Sequence, residues 1–209
     1  MSEARAFEPT GRGAEVLPTT ALGSRSPSWW GMVWLIATEA VLFSMLLMSY
    51  WFLRFQSTPV WPPDGIDKPK LTLVLIMTAI LWSSSLPVHL AHRAVRLGHQ
   101  VAAQFWMLIG WFPGLLFVAL ELGVEWPHTL KEFNPQTNAY GSLYFTITGF
   151  HALHVIIGLM VSAWVQVRLW RGAYDMHRHV SVQNFSMYWQ FVDLVWVFVL
   201  LTVYLSPYL

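Results

Sequence analysis

The stretch SLYFTITGFHALHVIIGLMVSAWVQV, residues 142–167, contains no Asp, Glu, Lys or Arg. As a helix it crosses a hydrocarbon core of about 30 Å, which takes about 20 residues. Hydrocarbon offers no partner for backbone N–H and C=O groups, so a segment of this length closes its own hydrogen bonds as a helix. The dyad alternation of a barrel strand is absent. Working outward, the same reading applies to Trp29–Leu53, Leu71–His89, Val101–Leu120 and Phe185–Leu205. Glu39 is the only charged residue of the first of these, and Asp193 the only one of the last. The expected fold is an all-α polytopic membrane protein with five transmembrane helices.

Composition agrees. The chain has 209 residues, 56% of them hydrophobic and 11% charged, against roughly 25% charged in soluble domains. Twelve Lys and Arg against eleven Asp and Glu leave a formal charge of +1, which gives no basic surplus for a nucleic-acid backbone. With no cysteine, a disulfide framework, thiolate zinc, iron–sulfur clusters and a two-cysteine copper centre are excluded. A metal would have to sit on His, Glu, Asp or Met.

Residues 1–28 are polar and lack the apolar core of a signal peptide, so they read as a disordered cytoplasmic arm ahead of a membrane domain at 29–209. Arg5, Arg12, Arg25, Arg93, Arg96, Arg168, Arg171 and Arg178 fall on one side of the five spans, and Arg54, Lys68, Lys70 and Lys131 on the other. The positive-inside rule then places the amino terminus in the cytoplasm and the carboxyl terminus outside. No loop is long enough to fold alone, so function resides within the bilayer or at its rim.

An ionisable group at mid-membrane is costly unless paired, which makes each one a functional candidate. Glu39, His154 and Asp193 fall at similar depth, roughly 12–18 Å from the cytoplasmic side at 1.5 Å per residue. His151, His154, Gly158 and Ser162 share one helical face, and Ser186, Gln190 and Asp193 share another that is expected to point into protein. A buried Glu39–His154 contact, or one between Asp193 and a histidine, would fix helix packing. Glu39 also admits a proton-linked or lipid-linked role.

Four histidines, His89, His92, His151 and His154, superficially offer haem ligands, but the first two lie at the end of their span, a poor depth match for His151. Glu125-Trp126-Pro127-His128 has the E-x-x-H spacing of di-iron bundles, yet occurs once and contains a proline.

Several strings together are more specific. ATEAVLF (Ala37–Phe43) resembles the S-E-x-x-x-F signature of haem–copper oxidase subunit III. ALELGVEW (Ala119–Trp126) is similar to that family's Q-x-x-E-[YW] ending, TGFHALHVIIG (Thr148–Gly158) to T-G-F-H-G-x-H-V-x-x-G, and the run from Tyr188 to Leu205 to Y-W-H-F-V-D-x-V-W and its apolar continuation. The resemblance covers Trp29 to Tyr208 and matches the short, five-helix bacterial form. Three positions depart from it: Gln190 replaces a histidine, Ala152 a glycine, and Glu121 stands where glutamine is common, at an expected low cost near the outer interface.

The resemblance implies an accessory subunit, itself without haem or copper, of a proton-pumping terminal oxidase in the bacterial inner membrane. It would pack against subunit I, with subunit II in the same complex, and hold phospholipid. The haem and copper would belong to the partner subunits. Carried over by position, Glu39, Glu125, His151, His154, Asp193 and Gln190 become the interface or proton-linked polar groups. Charge and aromatic placement alone make Arg93, Arg96 and Arg168 the candidates for lipid headgroups. An accessory subunit of a quinol oxidase or of nitric oxide reductase shares several of these strings. A membrane b-type cytochrome and a small proton-coupled transporter, whose helix would break at Pro113-Gly114, are the readings from other classes.

Overall fold

A computed structural model describes residues 26–57, 61–63, 69, 71–175 and 178–208. The arm through residue 25, with Arg5, Arg12 and Arg25, lies outside the described residues, as do Lys68 and Lys70. The described chain is helical: α1 (Pro27–Gln56), α2 (Leu71–Arg96), α3 (Gln100–Leu120), a π turn (Glu121–Glu125) leading into α4 (Trp126–Glu132), α5 (Ala139–Trp170), and α6 (Val180–Val199) with a second π turn (Leu200–Leu205). Five helical runs are long and apolar enough to span a membrane, one of them α3 continued through α4 and one α6 continued to Tyr208.

The helix starts have local causes. Ser26 Oγ accepts the Trp29 N–H at 3.3 Å and Pro27 follows at the first helical position, so α1 begins two residues ahead of the expected boundary. Asn138 caps α5 in the same way, accepting the Gly141 N–H at 2.8 Å. Between α2 and α3 the chain reverses in three residues, made possible by Gly98 at φ +77°. Both π turns precede a proline, Pro127 in one case and Pro207 in the other. A proline ring clashes with the carbonyl four residues back, which falls on Gly123 and Val203, and a widened turn relieves the clash. Pro113-Gly114 does not break α3, which passes through it as continuous helix.

Along the bundle α2 packs on α3, α3 on α5 and α5 on α6, and α6 closes back against α2; α1 lies outside, on α5 and α6. Lipid tails are as apolar as the side chains, so association rests on close packing and hydrogen bonds rather than on expelling water. The packing centre is Trp189. A Cβ at Gly114 would stand 2.8 Å from its ring and one at Gly158 2.7 Å, so α3 and α5 approach the indole only because both positions are glycine. Its Nε1–H donates to Ser84 Oγ on α2 at 2.8 Å.

Candidate functional site

The α1–α5 seam contains the polar pair at mid-depth. His154 Nε2 lies 3.0 Å from Glu39 Oε2, while His154 Nδ1 lies 2.7 Å from the Phe150 carbonyl. A carbonyl only accepts, so Nδ1 carries a proton. The remaining bond is the same whether an imidazolium donates to a carboxylate or a carboxylic acid donates to an imidazole. The pair is therefore net neutral in both states, which is the arrangement a low dielectric tolerates. Phe43 sets its ring edge against His154 at 5.0 Å, and the Tyr188 hydroxyl donates to the His154 carbonyl at 3.0 Å. The Glu39 side chain remains 28% exposed on the outer side of the bundle.

Asp193 does not join this pair. It faces α2 and accepts from the Ser85 hydroxyl, so the expected contact between Asp193 and a histidine is replaced by an Asp193–Ser85 contact. On the same side the indole of Trp196 donates to Thr78 Oγ1 at 2.9 Å. Thr78 and Ser84 in turn donate to carbonyls of their own helix, at Val74 and Leu81. Each hydroxyl thus satisfies its proton locally and offers a lone pair to α6. His151 is fully enclosed, with Nε2 3.4 Å from the Val192 carbonyl and its ring beside Trp196 and Phe117 at 4.7 and 5.6 Å. Gln190 departs from expectation: Ser186 and Asp193 are buried, but Gln190 is exposed. The three span an arc of about 60°, and Gln190 sits at its lipid-facing edge.

At the opposite end the π turn directs two carboxyls inward. Glu125 accepts from the Tyr144 hydroxyl at 3.0 Å, and that hydroxyl lies 3.0 Å from Tyr204 Oη. Glu121 is 1% exposed, and neither of its carboxyl oxygens has a hydrogen-bond partner. This corrects the expectation of a cheap interfacial position, because the widened turn rotates Glu121 into the bundle. Tyr50 is shared between Ser206 and the Trp61 indole, both at 3.0 Å. His128 lies 3.5 Å from Glu132, and both line a small cavity together with Glu125. Among the described residues no three His, Cys, Asp or Glu side chains are close enough to hold a metal.

Rim contacts sort the cations by end. Gln100 Nε2 donates to the Tyr174 carbonyl at 2.9 Å, Gln104 to Leu169 at 3.0 Å, and Asn184 to the Ser28 carbonyl at 3.0 Å. These contacts collect Arg93, Arg96, Arg168, Arg171 and Arg178 at one rim. Arg54 and Lys131 lie at the other, where Tyr208 also donates to the Pro69 carbonyl at 2.7 Å. Arg168 lies over Trp164 and Tyr174, at 4.9 and 5.4 Å from the ring centroids. Arg93 and Arg96 are exposed in the last turn of α2.

Residues 20–208 match the family described as cytochrome c oxidase subunit III. The chain belongs to the cytochrome c oxidase subunit III family. Among its relatives are the cytochrome c oxidase subunit 3 of Synechocystis sp., 34% identical over 84% of this chain and 74% of the relative, and that of Pisaster ochraceus, 33% identical over 84% and 68%. The Gallus gallus subunit is 32% identical over 90% of this chain and 71% of the relative. Membership makes the chain a membrane-embedded component of an oxidase complex that contains other subunits.

For this subunit III family member, the polar residues that sequence reasoning missed are Ser84, Ser85, Thr78, Tyr144 and Tyr204. The run Ser83–Ser85 inside an apolar span was the available signal for the α2 hydroxyls. The two tyrosines gave no such signal, since their contact spans 60 positions.

Proposed function

We propose that the chain is an accessory, non-redox subunit of a respiratory haem–copper terminal oxidase. It packs directly on subunit I, with subunit II in the same complex, and supports proton uptake and sustained turnover while partner subunits hold the haem and copper. The observation that carries this reading is the use made of the intramembrane carboxyls. Glu39, Asp193 and Glu125 each bind a side chain of a different helix, and each is engaged as a tie between helices. The rim sorting of arginines supports a cytoplasmic amino terminus in a bacterial inner membrane.

Lipid is held in two places on this reading. Arg93, Arg96 and Arg168 meet headgroups, Arg168 being oriented by its two aromatic neighbours. An apolar groove of about 170 Å³ between α1 and α6, lined by Phe43, Leu47, Phe191 and Phe198 among others, takes part of an acyl chain. The test is purification of the native complex with its co-eluting chains and lipids identified by mass spectrometry. A haem–copper subunit with a twelve-helix catalytic core and retained phospholipid are expected. Co-elution with a nitric oxide reductase, or stoichiometric iron or copper in this chain alone, would overturn the assignment.

A further inference from the structure

The two carboxyls of the first π turn differ in what reaches them. Tyr144 has one hydroxyl proton and donates it to Glu125 Oε1, so the Tyr204 hydroxyl, 3.0 Å away, donates to Tyr144. Glu121, four residues before Glu125, is buried within electrostatic reach of both phenols, and neither of its oxygens has a hydrogen-bond partner. Two bare carboxylates side by side in an apolar interior are costly, so the pair holds a proton. Glu125 receives a donor, which suits a carboxylate; Glu121 receives none, which suits the acid form.

Glu125 also faces a cavity of about 70 Å³, bounded by Tyr144, Thr129, His128 and Glu132. That is room for more than one water, and the walls offer it polar partners. The His128 and Glu132 side chains are 51% and 32% exposed, so this lip of the cavity lies at the rim that also carries Lys131. One buried carboxyl thus borders a space open to water, and the other lies behind a chain of two hydroxyls.

We propose that Glu121 and Glu125 form a proton-exchange site at this rim, in which a single proton passes between the two carboxyls through Tyr204 and Tyr144. A turn of the Glu121 side chain brings its acid to the Tyr204 oxygen. Glu121 gives up its proton there, Tyr204 and Tyr144 each hand their own onward, and the Glu125 carboxylate takes one up. Glu121 is left a carboxylate and Glu125 an acid, both phenols stay neutral, and no electron moves. Glu125 then trades its proton with cavity water, and the return shift places the new proton on Glu121. That this rim is the outer, proton-releasing side rests on the orientation and oxidase reading proposed above; the exchange itself does not.

Infrared spectroscopy of the intact complex tests the site, with the carboxylic-acid C=O absorption followed while H2O buffer is replaced by D2O. The difference between the native complex and Glu121→Gln should contain one acid band, and in the native complex that band should shift promptly in D2O. Tyr144→Phe, Tyr204→Phe and Glu125→Gln should keep the band and slow its shift by about a hundredfold, the order expected when a positioned proton carrier is lost. The haem spectrum and melting temperature check assembly. Where Glu125→Gln fails to assemble, the two phenylalanine variants, which retain the rings, carry the comparison. Absence of a Glu121-dependent acid band would overturn the site, and so would a shift as fast in the relay variants as in the native complex. Partner chains other than those of an oxidase would undo the assignment of the complex and leave this measurement intact.

Discussion

In α1 only 6% of the most apolar window is buried inside the bundle, whereas in α6 the figure is 61%, although both helices are long and apolar enough to span the membrane. The two are held by different means. α6 sits among α2, α3 and α5, where Gly114 and Gly158 clasp Trp189 and hydroxyls of α2 accept its indole protons. α1 buries only Phe43 and Tyr50 and is tied at three depths, by Asn184 to Ser28, by His154 to Glu39, and by Ser206 to Tyr50. The core is specified by shape and the outer helix by polar ties. In lipid this division follows from the weakness of purely apolar association, which must be replaced by close packing or by hydrogen bonds.

The largest effect is expected where shape does the work. Gly158→Ala places a methyl 2.7 Å from the Trp189 ring, and Gly114→Ala one at 2.8 Å. Overpacking of this kind costs about 1–3 kcal/mol, and the double variant should fail to accumulate, as read by immunoblot of membranes and by the melting temperature of the complex. A double variant as stable as the native chain would mean that the core is not shape-limited.

Next comes Glu39→Ala. It leaves His154 Nε2 without its partner, a loss of about 1–3 kcal/mol, and should loosen α1 and shorten sustained turnover while leaving the haem spectrum unchanged. Disappearance of the haem bands in a correctly assembled complex would contradict the role given to Glu39. Tyr50→Phe removes the tie to Ser206 and the acceptor of Trp61, with an expected cost of about 1 kcal/mol; an unchanged melting temperature would remove Tyr50 from the seam. The smallest effect has the opposite sign. Glu121→Met replaces a buried carboxyl that lacks partners with an apolar chain of similar length, and should raise stability by about 1 kcal/mol or less. A fall in melting temperature would show that Glu121 is satisfied by a group outside the bundle.

How much of this was legible depended on which physical rule was in force. The five spans could be read from the sequence because an apolar run of that length, charge-free in three of them and holding a single carboxyl in the other two, has a single solution in hydrocarbon. Their ends were read short, as at His89 where α2 continues to Arg96, because long cationic side chains let a helix run on while their heads reach the rim. The depth match of Glu39 with His154 followed from helical rise alone, and the two meet. Asp193 could not be assigned its partner, since Ser85 is one of several serines that rise alone does not separate. Glu121 was misplaced because nearness to the end of a span does not say which way a π turn directs the side chain, and Gln190 because a wheel gives angles between residues without giving the edge of the buried face.

The most direct test of the seam is a double-mutant cycle of Glu39→Ala and His154→Ala, read by thermal unfolding of the assembled oxidase complex. Residues in direct contact couple by about 0.5–3 kcal/mol. The expected result is a double variant little worse than either single one, with a coupling inside that range. Strictly additive losses would contradict the account, because each side chain would then be stabilising the bundle through something other than the other.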